Sequence, residues 1–451
     1  MSKTIKLKKG FDIRIKGSPQ DKVDSSFSSA TFAVKPTDYK NISPIPKVMV
    51  EVGDEVLAGQ PLFFDKKNPE VIHVAPVSGE VAEIRRGAKR AISEVVILGD
   101  STLRFKDLNV PSLDGISRED LVTFLLGSGA WPYFLQRPFG IIADHKDAPK
   151  NIFVSGFDSS PLAPSYSKIA EGNDAAIQAG FKALQVLSEG KVYLGLSNSD
   201  TPTALKNLSG VQTNYFNGPH PAGNVGVQIH HTAPIAKGDM VWTIDLPNLI
   251  VLGKLFTEKR FNTERLISVG GPVVKNPGYI KTYLGANVEQ ALNNNLSNDN
   301  IRVIAGNVLS GNNIGTKGHL GAFDNAISIL EEGDHYEPFG WLIPSYAKPT
   351  ISKSFLNGLF GSKKEYDVNT NTHGEKRAFV VSGQYEKVLP MDIYPVQLLK
   401  SILFNDLDGM EGLGIYELLE EDLALCEYVC TSKNKVQEIL RQGLNTMMEQ
   451  G

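Results

Sequence analysis

The sequence predicts a chain of several domains: a small β-barrel or sandwich, an α/β layer, a small α+β module and a helical C-terminal region. Three observations carry this. The first hundred residues are short β-branched runs broken by turn residues at high density. From about residue 100, strand-like and helix-like segments alternate, and after Pro390 the pattern is helical to the end. The length, 451 residues, exceeds one ordinary domain.

Taken in order, VMVEVGDEVLAGQPLFF alternates apolar residues and breaks at Gly53-Asp54 and Gly59-Gln60. VIHVAPVSGEVAEI follows, broken at Ala75-Pro76 and Ser78-Gly79, and ISEVVILGD closes the β region. SREDLVTFLLGSG starts a helix, with Ser117 ahead of an apolar face. NIFVSG (151–156) is a buried strand, NDAAIQAGFKALQVLSEG (173–190) an amphipathic helix with a glycine stop, and KVYLGLS (191–197) the next strand. VGVQIHH (225–231) and MVWTIDL (240–246) are read as two further strands. Residues 257–311 are short strands around Gly/Pro turns with a helix-like VEQALNNNL between them. AFDNAISILEEG (322–333) then leads to the aromatic FGWLIP (339–344), and 348–377 ends as a polar, exposed loop.

Composition excludes several function classes. The formal charge is −4 and no long Lys/Arg block occurs, so a dedicated nucleic-acid binder is excluded. Two cysteines, Cys426 and Cys430, exclude a disulfide framework and are too few for the four thiolates of an ordinary iron–sulfur cluster. No run reaches the ~20 apolar residues of a membrane span. The N-terminus, MSKTIKLKKG, lacks the apolar core of a secretory signal, and Ser2 lacks the glycine of a myristoylation signal. Any membrane attachment is therefore expected through a partner.

Each chemical motif competes with a plainer reading. Residues 48–84 resemble biotinyl and lipoyl carrier domains, but the hairpin DKKNP (65–69) lacks Met-Lys-Met, and Lys66 and Lys67 sit too early for a lipoyl lysine. A barrel scaffold without a prosthetic group is the expectation. RRGAKR (85–90) puts four cations around Gly87, either a docking patch or anion site or a solvated hairpin tip. No G-x-G-x-x-G follows a strand, and GSGAWP (127–132) reads as a helix C-cap. His230 and His231, adjacent in a strand, would point to opposite faces and share no metal. Cys426 and Cys430 lie one helical turn apart and read as buried thiols. No catalytic residue and no metal ligand is expected.

A series of segments, in order along the chain, resembles a known family. IKLKKGFDI (5–13), GQPLFFDKKNP (59–69), RRGAKRAISEVVI (85–97), RPFG (137–140), HPAGNVG (220–226), VWTIDL (241–246), LGKLF (252–256), RVIAGNVLSG (302–311), FGWLIP (339–344) and LEEDLALCEYVC (419–430) are similar to the NqrA subunit of the bacterial Na⁺-translocating NADH:quinone reductase (Na⁺-NQR). The resemblance implies a barrel-sandwich hybrid (1–100), a Rossmann-like α/β domain (101–256), a β-grasp module of the soluble-ligand-binding type (257–312), and a connecting hairpin, exposed loop and helical domain (313–451). It implies a peripheral subunit without a transmembrane segment, on the cytoplasmic face of the bacterial inner membrane. Its partners would be the other subunits of a six-subunit complex, especially a membrane-embedded one, with no nucleic acid. That complex passes electrons from NADH through flavins and iron–sulfur centres to quinone and exports Na⁺.

The family is itself similar to one subunit of the Rnf electron-transport complex and to the NADH-binding flavoprotein of respiratory complex I. Against those relatives, GSGAWP keeps Gly127, Gly129, Ala130 and Pro132 of a flavin-cradling loop, but Trp131 stands where Gly-Phe is expected. Cys426 and Cys430 match only the closing pair of a four-cysteine motif. The expectation is therefore no cofactor in this chain, with flavins, iron–sulfur centres and NADH in partner subunits. Quinone is the possible ligand, and the aromatic segment Trp131, Tyr133 and Phe134 the candidate region for it. The alternatives are a flavin- and NADH-binding electron-transfer subunit of the Rnf or complex I type, and a biotin- or lipoyl-type carrier.

Overall fold

Short strands fill the first hundred residues: β1 (Lys3–Lys6), β2 (Val23–Asp24), β3 (Thr31–Val34), β4 (Lys47–Val48), β5 (Glu55–Val56), β6 (Pro61–Asp65), β7 (Asn68–Val74), β8 (Gly79–Arg86) and β9 (Ile92–Gly99). They belong to a computed structural model that describes residues 2–206, 208–333 and 364–451, with 335, 338 and 349 between. Two small sheets, β3-β9-β8-β5 and β4-β6-β7, close over Phe32, Val56, Leu62, Phe63, Val77, Val81, Val95 and Ile97. Gly79 is required at its turn: φ is +152°, and a Cβ there would strike the Leu98 carbonyl oxygen. The barrel-sandwich hybrid is thus built as its turn residues predict. The first two strands leave it: β1 pairs in parallel with the α/β sheet and β2 with the grasp sheet.

The α/β layer opens with α1 (Arg118–Ser128). The Ser117 Oγ caps it by accepting from the Asp120 amide, and Gly129 closes it in the left-handed conformation at φ +79°. Then come β10 (Leu135–Arg137), β11 (Ile141–Ile142), β12 (Asn151–Ser155), α2 (Tyr166–Ala170), α3 (Asp174–Leu187), β13 (Lys191–Leu196), β14 (Val211–Asn217), α4 (Val225–Thr232), β15 (Val241–Thr243) and α5 (Leu246–Glu258). The sheet order is β1-β14-β13-β12-β15-β10-β11. The chain builds outward from β12 through β13 and β14, then returns to place β15 on the other side of β12. The apolar run Leu246–Phe256 is α5, packed on α3 within the core.

VGVQIHH is not a strand. Residues 225–232 form α4, which packs on β12. Its Val225, Val227 and Ile229 fit a period of two as well as a helical face, so the local pattern is ambiguous. Topology decides. The chain must cross from β14 to a parallel strand beyond β12, and parallel crossovers run through helices. Gly226 lets α4 approach closely, because a Cβ there would collide with the Asp422 carboxylate and the Arg137 guanidinium. On this helix His230 Nδ1 lies 2.8 Å from a Glu417 oxygen and His231 Nε2 lies 2.7 Å from the Pro390 carbonyl.

Beyond, β16 (Glu264–Gly270), β17 (Gly278–Tyr283), α6 (Glu289–Leu292), β18 (Ile301–Ala305), β19 (Asn312–Asn313) and β20 (Ala326–Glu331) form the grasp sheet, ordered β19-β18-β20-β16-β17-β2. The sheet runs past residue 312, since β20 lies between β18 and β16. FGWLIP and residues 348 and 350–363 of the polar loop lie outside the described residues. The rest of that loop touches the body through bridges from Tyr366 to Ile15 and from Asn369 to Glu331. Helices α7 (Tyr385–Val388), α8 (Pro395–Leu403), α9 (Leu407–Gly412), α10 (Glu420–Val429) and α11 (Val436–Gln450) pack through Val396, Leu399, Leu423, Leu440 and Leu444. Among the described residues no helix is long and apolar enough to cross a membrane.

Candidate functional site

In an open α/β sheet, the crevice beyond the carboxyl ends of the strands, where the build direction reverses, is the natural ligand site. Here the reversal lies between β12 and β15, and a cleft of about 270 Å³ opens at that point. Ser155, Phe157 and Asp158 follow β12, Thr243 to Asp245 follow β15, and Tyr133, Leu135 and Arg137 come from β10 and its approach. The grasp module supplies Asn307, Leu309, Ser310 and Asn325, and α10 supplies Glu421. Three regions therefore meet at one polar cavity.

Carboxyl groups dominate its walls. Asp245 caps α5 by accepting from the Asn248 amide at 2.8 Å, and Asp158 accepts from the Ser160 amide at 2.7 Å. Burial pushes both carboxyls above their usual range, with Arg265 opposing the shift at Asp245. Glu421 is reached by solvent through the cleft, yet burial among protein atoms raises its carboxyl to about 7 against the pull of Arg137. The cation of the wall, Arg137, is already engaged. Its guanidinium donates to Glu421 at 2.6 Å and to the fully buried Asp422 at 3.0 Å. Burial works against its charge, and the Asp422 and Glu421 carboxylates more than restore it. Two buried atoms on the cleft-lining side chains, Arg137 Nε and Asn325 Oδ1, have no hydrogen-bond partner among the described residues.

The aromatic segment divides at this wall. Tyr133 lines the cleft, its hydroxyl pushed up to about 12 by burial. Trp131 and Phe134 do not reach it and are fully buried. The Trp131 indole donates to the Ala143 carbonyl at 2.8 Å and meets Trp242 edge-on, with ring centroids 5.4 Å apart. His220 also lines the cleft; its Nδ1 lies 3.1 Å from Ser159 Oγ, and burial lowers it to about 4, so the ring is neutral at pH 7. Sequence reasoning missed Arg137, Asp158, Asp245 and Glu421, because scattered acids carry no spacing signal. A capping aspartate directly after a strand was the one signal that could have found Asp245.

Three family models match the chain: the NqrA N-terminal barrel-sandwich hybrid domain over residues 5–100, the NqrA second alpha/beta domain over 116–261, and the NQRA C-terminal domain over 266–315. The NqrA protein of the Na(+)-translocating NADH-quinone reductase of Vibrio alginolyticus is 37% identical over 450 residues, covering 99% of this chain and 100% of that one. The chain belongs to the NqrA family. Its counterpart from Vibrio campbellii is 38% identical over 450 residues, with the same coverage. That of Rhodopirellula baltica is 38% identical over 454 residues, covering 99% of this chain and 98% of that one.

The two segments set against flavin and cluster sites in the sequence are both engaged within the fold. A flavin-cradling loop must aim free amides at phosphate. Here the Gly129 amide bonds to the Leu126 carbonyl, Ala130 to Leu125, Tyr133 to Ala130 and Phe134 to Trp131, all within the segment and its helix end. A Cβ at Gly129 would strike Val74, so that glycine serves barrel packing. At the other site, Cys426 and Cys430 are buried in α10 and at its end. The Tyr385 hydroxyl donates to Cys430 Sγ at 2.9 Å, and burial pushes the Cys426 thiol far up, disfavouring the thiolate a cluster needs. Among the described residues no group of three His, Cys, Asp or Glu side chains could hold a metal ion.

Proposed function

We propose that this chain is the non-redox, peripheral NqrA subunit of the Na⁺-translocating NADH-quinone reductase, on the cytoplasmic face of the bacterial inner membrane. The complex couples NADH oxidation and quinone reduction to Na⁺ export, with flavins, iron–sulfur centres and NADH held by partner subunits. The chain stabilises the assembly, and its switch-point cleft contributes to the quinone-binding region.

One observation carries the reading: the cleft is walled by Asp158, Asp245 and Glu421, and its guanidinium is neutralised by Glu421 and Asp422. A wall whose one guanidinium is already paired offers the phosphates of FMN or NADH no free charge partner. An uncharged ring with two carbonyl oxygens suffers no such penalty and needs only an apolar lining with a few polar groups. Leu135, Phe157, Ile244 and Tyr133 supply the first, and the Tyr133 hydroxyl supplies a donor for a carbonyl. Phe261 stacks on the Tyr133 ring, with centroids 6.4 Å apart.

The test is an absorption spectrum, near ultraviolet through visible, of the chain purified without oxygen, followed by titration with a soluble ubiquinone analogue. A featureless baseline above the protein band, with saturable quinone binding weakened by Tyr133→Phe, is the expected result. A flavin or iron–sulfur band that survives gel filtration would overturn the non-redox reading. A flat quinone titration would overturn the assignment of the cleft.

A further inference from the structure

We infer that the end of the N-terminal barrel opposite its chain connections is a docking surface for an anionic lipid membrane. Two hairpin tips carry its cations. The β8–β9 tip carries Arg86, Lys89 and Arg90, and the β6–β7 tip carries Lys66 and Lys67. The segment between β3 and β4 joins them. The Pro44 carbonyl accepts from the Ile92 amide beside the first tip, and three residues later Lys47 pairs with Phe64 beside the second. All six side chains, Lys47 included, are exposed.

The charges are free. No salt bridge joins any of the six to a carboxylate among the described residues, and Arg86 instead donates to the Arg90 carbonyl at 3.3 Å. Of the nearby acids, Glu83 and Glu94 hold Arg85 and Asp65 accepts from the Lys67 amide, while Asp144 and Asp147 line a pocket with Lys67 without an ion pair to it. Lys89 and Arg90 both stand in the left-handed region, at φ +53° and +64°, where side chains other than glycine are strained. Strain that keeps two cations at an exposed tip is a cost in the isolated chain, and such costs gather at functional surfaces. The cluster is also opposed to the overall charge of −4, so it marks this end apart from the rest.

The occupant is distinguished by the apolar groups. Ile45 and Met49, 42% and 51% exposed, flank Lys47. Exposed aliphatic side chains among unpaired cations suit a lipid headgroup layer, where the cations meet phosphate and the aliphatic groups enter the acyl boundary. An acidic protein face offers the second group no comparable gain. This surface does not involve the strand-end cleft, so it stands or falls independently of quinone binding.

The experiment is co-sedimentation of the full chain with vesicles of equal parts phosphatidylglycerol and phosphatidylcholine, beside pure phosphatidylcholine, at low and physiological salt. We expect binding to the anionic vesicles only, falling as salt rises. The triple variant Arg86→Ser, Lys89→Ser, Arg90→Ser should bind roughly a hundredfold more weakly, at about fivefold per cation. A second variant, Ile45→Ser with Met49→Ser, should weaken binding without changing its salt dependence, and these exposed changes leave the core intact. Equal binding to both vesicle types, or undiminished binding by the triple variant, would overturn the proposal. So would absence of binding to anionic vesicles at low salt, and retention on an acidic protein partner alone would reassign the surface to protein docking.

Discussion

Residues 131–134 and the cleft they border share one short stretch of chain and differ in every physical respect. On one side Trp131 and Phe134 are dry, fully enclosed and packed on Trp242. On the other, Tyr133 and Arg137 face a polar cavity with carboxyl groups around it. The glycine-bearing loop is taken up in packing, whereas the strand ends beside it are open. The site therefore lies where the sheet topology makes a crevice, and not where the glycines cluster.

That contrast can be broken from the dry side first. Trp131→Ala should cost about 3–5 kcal/mol of stability, read by urea unfolding, because a large fully buried ring leaves a cavity. The Ala143 carbonyl loses its donor as well. Soluble-quinone affinity of the folded fraction should be unchanged, and a selective loss of affinity would move the ligand to the dry side. Arg137→Met should cost a similar ~3–5 kcal/mol, since it leaves Asp422 buried without its charge partner. A near-neutral result would show that Asp422 takes up a proton instead.

Smaller effects sharpen the wet side. Glu421 has its carboxyl raised from 4.5 to about 7, so the native state holds a proton that the unfolded chain releases. Its favourable contribution is complete below about pH 4.5 and is lost as pH rises to about 7. The stability of Glu421→Gln relative to the parent should therefore climb across that window, and a flat difference would show that Arg137 holds Glu421 ionised throughout. The smallest change is Tyr133→Phe, which should alter stability by less than about 1 kcal/mol. It should still weaken quinone binding in a titration. The reverse pattern, lost stability with unchanged binding, would return Tyr133 to the core.

Much of the fold was legible because its signals are local. Ser117 and Gly129 bound α1, and Ser78-Gly79 marks a turn whose backbone only glycine fits. Family membership was legible as well, since segments such as HPAGNVG and RVIAGNVLSG resemble the family's in order along the chain. The segment 225–232 was not, since two valines and an isoleucine at alternate positions serve a strand or a helix equally. The cleft was legible only in part. Tyr133 lay in a conspicuous aromatic run, but Arg137, Asp158, Asp245 and Glu421 are separated by up to hundreds of residues and converge only through sheet order.

By itself the sequence determined what depends on neighbours along the chain: caps, turns, alternation, the size of the cores, and the absence of four cysteines for a cluster. Tertiary structure decided what depends on neighbours across it. It sent β1 and β2 out of the barrel to finish two other sheets, and it made α4 a helix because a parallel crossover needs one. It also placed Asp422 against Arg137 in a site too dry for either charge alone. Local propensities are worth a fraction of a kcal/mol per residue, whereas a buried charge left unpaired costs several, so the long-range contacts govern wherever the two disagree.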